Sequence, residues 1–215
     1  DALDAMEYQI DSPLKELKDF DTLNGIIRVY ELPIKGEFYC LFTDPSNGIE
    51  DPFVTGVMKE TTGEVVCSAT GRLPAQEVGR IHDYLVRKYN DAWNTGEVNA
   101  QAGGSFRDAL VDLATPNIVP RRSDDGKIIP DKIGWWTGEH LRDTGLHDLA
   151  GAIFARQITI HDKEAIAEMK SFIRDSNGKL RASGKRHDDW VMMLMGLWQT
   201  KKYAPTGSFG IRSFS

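Results

Sequence analysis

His187, Asp188 and Asp189 stand side by side in "GKRHDDWVMMLMGLW", between a basic stretch and an almost unbroken apolar run. Adjacent carboxylates repel each other, and the run behind them reads as a buried helix. One acid at that place is a common helix N-cap. A cap needs only one acid, so the second points to another use, the holding of a divalent cation. Both readings are open from this segment alone.

Two further acids have the right kind of position. Asp44 ends the apolar strand "EFYCLFTD", and Glu97 closes a short strand ahead of "NAQAGG". Ligands of open α/β sheets gather beyond strand ends, where loops converge. Mg²⁺ and Mn²⁺ favour oxygen donors. Two such ions, about 3.5–4 Å apart, stabilise both the attacking and the leaving oxygen of a phosphodiester. Each acid also has a plain role: Asp44, before Pro45, as a turn residue; Glu97 as a surface glutamate; one of Asp188 and Asp189 as the cap. Glu50 and Asp51, next to Pro52, are outer-ligand or loop residues. His187 orients a water, binds an ion or is structural.

The elements that must position these residues alternate. Residues 1–28 read as a lead-in, with a helix starting at "SPLKEL" behind Ser12 and Pro13. Residues 29–215 read as one domain. "IIRVYELP" predicts a short edge strand and residues 37–44 a central one. Residues 53–71 predict a hairpin turning at "TTGE", followed by a helix from Pro74 to Tyr89. After the Glu97 strand come a Gly-rich loop and a helix capped by Ser105. Next are a hairpin or loop with "DDGK" at its tip, a helix, a short strand at "ITIHD", a helix at "KEAIAEMKSFIRD" and the helix after Asp189. This is a mixed α/β order, suited to one sheet with helices packed on it.

A net charge of −6 argues against nucleic acid as a partner, but the local balance runs the other way. Between Lys179 and Lys202 the bases are Lys179, Arg181, Lys185, Arg186, Lys201 and Lys202, and the only acids are Asp188 and Asp189. Arg121, Arg122, Lys127 and Lys132 join Lys179, Arg181, Lys185 and Arg186 as candidates for phosphate contact. Cys40 and Cys67 lie in strand-like segments, which suits buried thiols in a reducing compartment. No stretch is long and apolar enough to cross a membrane. The chain starts "DALDAMEYQIDSP", as a piece of something longer would.

From about Val29 to Leu197 the chain resembles the C-terminal nuclease domain of the large terminase subunit of tailed bacteriophages. "FTDPSNG" is similar to that family's first-strand motif, which puts the first metal-binding aspartate at Asp44. "GEVNAQAGG" is similar to its acid–x–Asn segment, with a slightly longer Gly-bearing loop, and puts the second acid at Glu97. "GWWTG" and "ITIHDKEAIAEMKSFIRD" resemble the segments that follow. "GKRHDDWVMMLMG" resembles the closing His-Asp-Asp motif, which puts the last acids at Asp188 and Asp189.

The resemblance implies a ribonuclease H-like fold: a mixed central sheet flanked by helices. It implies a metal-dependent endonuclease that cuts concatemeric viral DNA during genome packaging in the host cytoplasm, with two Mg²⁺ or Mn²⁺ ions. Implied partners are double-stranded DNA and, in the full-length protein, an ATPase domain, the portal and a small terminase subunit. No G-x-x-x-x-G-K-[ST] segment is present, so no ATP hydrolysis is expected of this chain. Two other readings use the same residues. One is another ribonuclease H-like enzyme, a junction resolvase or an integrase. The other is a noncatalytic module docking on DNA or the portal, its acids serving only as caps and turns.

Overall fold

The computed structural model describes residues 2–7, 13, 15–17, 25–45, 51–123, 125–174, 180–182 and 188–205. A six-stranded sheet forms the centre, in the order β1-β2-β5-β4-β3-β6. Its strands are β1 (Lys15–Leu17), β2 (Gly25–Val29), β3 (Tyr39–Asp44), β4 (Phe53–Lys59), β5 (Val65–Gly71) and β6 (Trp93–Gly96). Only β6 runs parallel to its neighbour; every other pairing in this sheet is antiparallel. The mixed sheet and its central strand at residues 39–44 agree with the sequence reading. So does the β4–β5 hairpin.

Four expectations are corrected. "SPLKEL" does not start a helix: Lys15–Leu17 is a strand paired with β2. The segment expected as lead-in, residues 1–28, therefore contributes to the sheet. The strand near "IIRVY" lies between β1 and β5, inside the edge. The "AQAGG" segment is not a loop. It is the start of helix α3 (Ala100–Asp112), which runs through Ser105. "ITIHD" makes only a single bridge, between Thr159 and Glu64.

Both faces of the sheet are covered. Helices α2 (Ala75–Lys88) and α3 pack on one side, α4 (Glu139–Phe154), α5 (Lys163–Ser171) and α6 (Asp189–Tyr203) on the other. The period of two along β3 divides its side chains between two cores. Tyr39 and Leu41 join α2 and α3, while Cys40 and Phe42 join α6. Asp44 is in phase with Cys40 and Phe42, so it emerges on the α6 side. A short helix α1 (Ala2–Glu7) and two hairpin ladders complete the described elements: β7 (Pro120–Arg122) with β8 (Ile128–Ile133), and β9 (Phe172–Arg174) with β10 (Leu180–Ala182). The β7–β8 hairpin matches the expectation for "DDGK".

Helix α6 is apolar nearly all round because it is buried nearly all round, from Trp190 through Leu197. It lies close on the sheet through a missing side chain. A Cβ at Gly196 would run into the ring of Phe42. A buried polar cluster fastens α5 to the opposite half of the sheet. Asp162 caps α5 through the Glu164 amide and accepts from Arg28 at 2.8 Å, Ser68 at 3.1 Å and Tyr30 at 3.2 Å. Both cysteines are buried free thiols. No helix among the described residues is long and apolar enough to cross a membrane.

Candidate active site

Parallel pairing of β3 and β6 brings the first two acids together. Thr43 is in register with Gly96, and the Glu97 amide donates to the Thr43 carbonyl at 2.9 Å. Glu97 is thereby held beside Asp44, and the two carboxyl groups share a hydrogen bond. Such a bond requires a proton on one of them. Burial first, then the charge of Glu97, then the charges of Asp189 and Asp188 push the Asp44 carboxyl well above the usual carboxylate range.

Helix α6 delivers the other two acids to the same end of the sheet. Asp188 occupies the N-cap position, yet its side chain makes no cap hydrogen bond; it is ion-paired with Arg142 of α4. The cap comes from elsewhere. Glu168, on α5, accepts from the Val191 amide at 2.8 Å and also from the Trp190 amide. Burial, aided by the charges of Asp189 and Asp188, pushes the Glu168 carboxyl up to about 7. Glu168 therefore closes the helix start and leaves both aspartates to face the Asp44–Glu97 pair. Among the described residues, no three His, Cys, Asp or Glu side chains are drawn into ligating geometry.

A second network braces the site from behind. Thr43, Thr55, His82 and Asn94 are all buried. The Asn94 amide nitrogen donates to the carbonyls of Ala92 and Pro116, so its oxygen must be the acceptor facing His82 Nε2 at 2.9 Å. His82 thus carries its proton on Nε2 and accepts on Nδ1 from the Thr43 hydroxyl, 2.8 Å away. That hydroxyl in turn accepts from Thr55 at 2.8 Å. One donor–acceptor order satisfies the whole chain. It ties β3, β4, β6 and α2 together at the residue before Asp44. Burial pushes the His82 imidazole down to about 4, so the ring is neutral near pH 7.

This arrangement has close counterparts among solved structures. The nuclease domain of the Thermus phage P74-26 large terminase aligns with a TM-score of 0.65 and 20% identity, over 97% of this chain and 98% of that one. The large terminase nuclease of thermophilic phage G20c, with bound cobalt, aligns with a TM-score of 0.68 and 18% identity, over 92% and 96%.

The chain has the ribonuclease H-like fold of the phage large terminase nucleases.

The nuclease domain of gp2 from bacterial virus Sf6 extends the likeness, at a TM-score of 0.54 and 13% identity over 78% of this chain. The G20c nuclease has also been seen with bound magnesium and with zinc. No protein-family model and no curated protein matches the chain.

Within this terminase-nuclease fold, the structure brings together all four acids singled out in the sequence, Asp44, Glu97, Asp188 and Asp189. Asp51 is exposed in a bend. Glu50, His187, Lys179, Lys185 and Arg186 lie outside the described residues, and Arg181 is on β10, in register with Ile173. Arg121 and Arg122 lie over the rings of Trp136 and Tyr203, and Lys127 pairs with Asp125 at 2.6 Å. Sequence reasoning missed Glu168, Arg142, Thr43 and His82. Glu168 and Arg142 are single charges on amphipathic helices, without a local signal. Only the position of Thr43, directly before Asp44, offered a hint.

Proposed function

We propose that this chain is a metal-dependent DNA endonuclease that cuts concatemeric viral DNA during genome packaging. The observation that carries the reading is the hydrogen-bonded pair of Asp44 and Glu97, with Asp188 and Asp189 close enough to act on it electrostatically. Four carboxylates meeting at one sheet end form a hard, anionic donor set, the kind that suits Mg²⁺ or Mn²⁺. A cation would take the place of the proton that Asp44 and Glu97 now share. The donor set therefore fits the ions that the terminase resemblance implies.

Asp44 and Glu97 would hold the ions from the sheet, and Asp188 or Asp189 from α6. A bound pair of ions supplies the charge that acidifies a water and stabilises the leaving 3′ oxygen of the phosphodiester. Arg142 steadies Asp188, Glu168 holds the helix that carries it, and the Thr43–His82 chain keeps Asp44 in register with Glu97. In the packaging machine the partners would be duplex DNA, an ATPase domain, the portal and a small terminase subunit.

The test is incubation with supercoiled plasmid in Mg²⁺ or Mn²⁺, beside Asp44→Asn and Glu97→Gln. The expected outcome is nicking and linearisation by the parent only, with each variant reduced at least about 100-fold, the scale of losing an electrostatic catalytic group. Equal cleavage by all three proteins would remove the site. No cleavage with either metal would favour the docking module.

A further inference from the structure

Next to the acids lies a pocket of different chemistry, with a volume of ≈ 260 Å³. It is bounded by the β7–β8 hairpin, the turn after β8, the start of α4 and the end of α6. Trp135, Trp136, Tyr203 and Arg122 line it with flat groups. The Arg122 guanidinium lies 4.6 Å from the centre of the Tyr203 ring, and that of Arg121 lies 4.7 Å from the centre of the Trp136 ring. Trp136 is 45% exposed and Trp135 only 8%.

Trp135 Nε1, Thr137 Oγ1 and the Nε atoms of Arg121 and Arg122 are buried without a hydrogen-bond partner among the described residues. Buried polar atoms in native proteins are nearly always paired. Four exceptions in and around one aromatic pocket mark it as a place built for something other than core packing.

We infer that this pocket takes the base of an unpaired nucleotide in the DNA. The inference rests on the nuclease reading for its DNA. Aromatic rings and guanidinium planes together form a stacking platform for bases. A phosphate fits less well. Arg122 already donates from Nη1 to the Gly126 carbonyl at 2.7 Å and lays its face on Tyr203. The Asp125 carboxylate at the rim repels an anion, whereas it accepts from the exocyclic amine of a base such as cytosine. Location agrees. Trp135 is bridged in parallel to Glu97, its amide donating to the Gly96 carbonyl at 2.7 Å. Paired backbones lie about 4.8 Å apart, and each DNA strand advances about 3.4 Å per nucleotide. The stacked base would sit a few nucleotides from a phosphate held at the acids.

The test is the anisotropy of labelled duplexes with the full chain in EDTA, where no cutting interferes. A fully paired duplex is compared with the same duplex carrying one C·C mismatch, and with one carrying a T·T mismatch. The parent should bind the C·C duplex about tenfold more tightly than the paired one, the scale of stacking one base on an aromatic ring, and the T·T duplex less tightly than the C·C. Trp136→Ala and Tyr203→Ala should lose this preference while retaining paired-duplex affinity and melting temperature, and Trp136→Phe should keep it. Equal binding of all three duplexes by the parent overturns the inference, as does an undiminished preference in both alanine variants. Metal-dependent plasmid cutting without mismatch preference would remove the pocket alone. Mismatch preference without cutting would remove the nuclease reading alone.

Discussion

The amide of Glu97 donates to the carbonyl of Thr43 at 2.9 Å, which puts the Glu97 carboxyl against that of Asp44. Two acids 53 positions apart in the chain become neighbours through one rung of parallel pairing. The pairing concentrates negative charge at the strand ends, and the folded state bears that repulsion until a proton or a cation offsets it.

Removing one acid should therefore stabilise the metal-free protein while removing its response to metal. Asp44→Asn is expected to melt at or above the parent's temperature in EDTA at pH 8. Mn²⁺ at about 100 times its dissociation constant should stabilise the parent by roughly 2.7 kcal/mol. For a chain of this size that is a rise of about 5–10 °C. Asp44→Asn and Glu97→Gln should show little or none of it in differential scanning fluorimetry.

His82 makes a separate prediction about acid. Its folded-state value, about 4, lies below the 6.5 of a free imidazole. The unfolded chain therefore takes up the proton first, and the stability that depends on a neutral ring is lost as pH falls from 6.5 towards 4. Between pH 7 and pH 5 this amounts to about 2 kcal/mol. Urea denaturation at the two pH values should show a fall in the parent that is smaller by about this amount in His82→Asn. An identical pH response in both would mean that the ring does not titrate as its burial requires.

Glu168 should separate capping from charge. Glu168→Gln keeps an oxygen for the Val191 amide, so α6 should stay intact. Glu168→Ala uncovers the helix start and should cost about 1 kcal/mol in urea denaturation, the scale of a lost cap. The pH dependence has the opposite sign to that of His82. The folded carboxyl, at about 7, takes up a proton before the unfolded one, near 4.5. This contribution is present below pH 4.5 and is lost as pH rises through 7. Glu168→Gln should not show that loss.

Gly196→Ala should destabilise the fold without touching the acids. The added methyl meets the buried Phe42 ring, which has no free space to turn into. Overpacking of this kind costs about 1–3 kcal/mol. A lower urea midpoint with an unchanged slope would bear this out, and an unchanged midpoint would show that α6 can lift off the sheet at no cost.

Local pattern carried a large part of this protein. The period-two run to Asp44, the "TTGE" turn, the amphipathic face of α2 and the apolar run after Asp189 are short-range features that reflect burial and backbone geometry, and each element stands where its pattern put it. The acids were visible because carboxylates at the ends of apolar segments are exceptions to those patterns. Tertiary structure alone decided what the exceptions do. Asp188 is not a cap because Glu168 reaches in from another helix; "AQAGG" is helical because α3 packs against α2 and the sheet; Lys15–Leu17 is a strand because β2 offers it an edge. Arg121 and Arg122 lie on aromatic rings that are more than ten residues away in the chain. Periodicity depends on neighbours along the chain, whereas partners in a sheet, a cap or a stacked pair come from distant segments, and only folding brings those into contact.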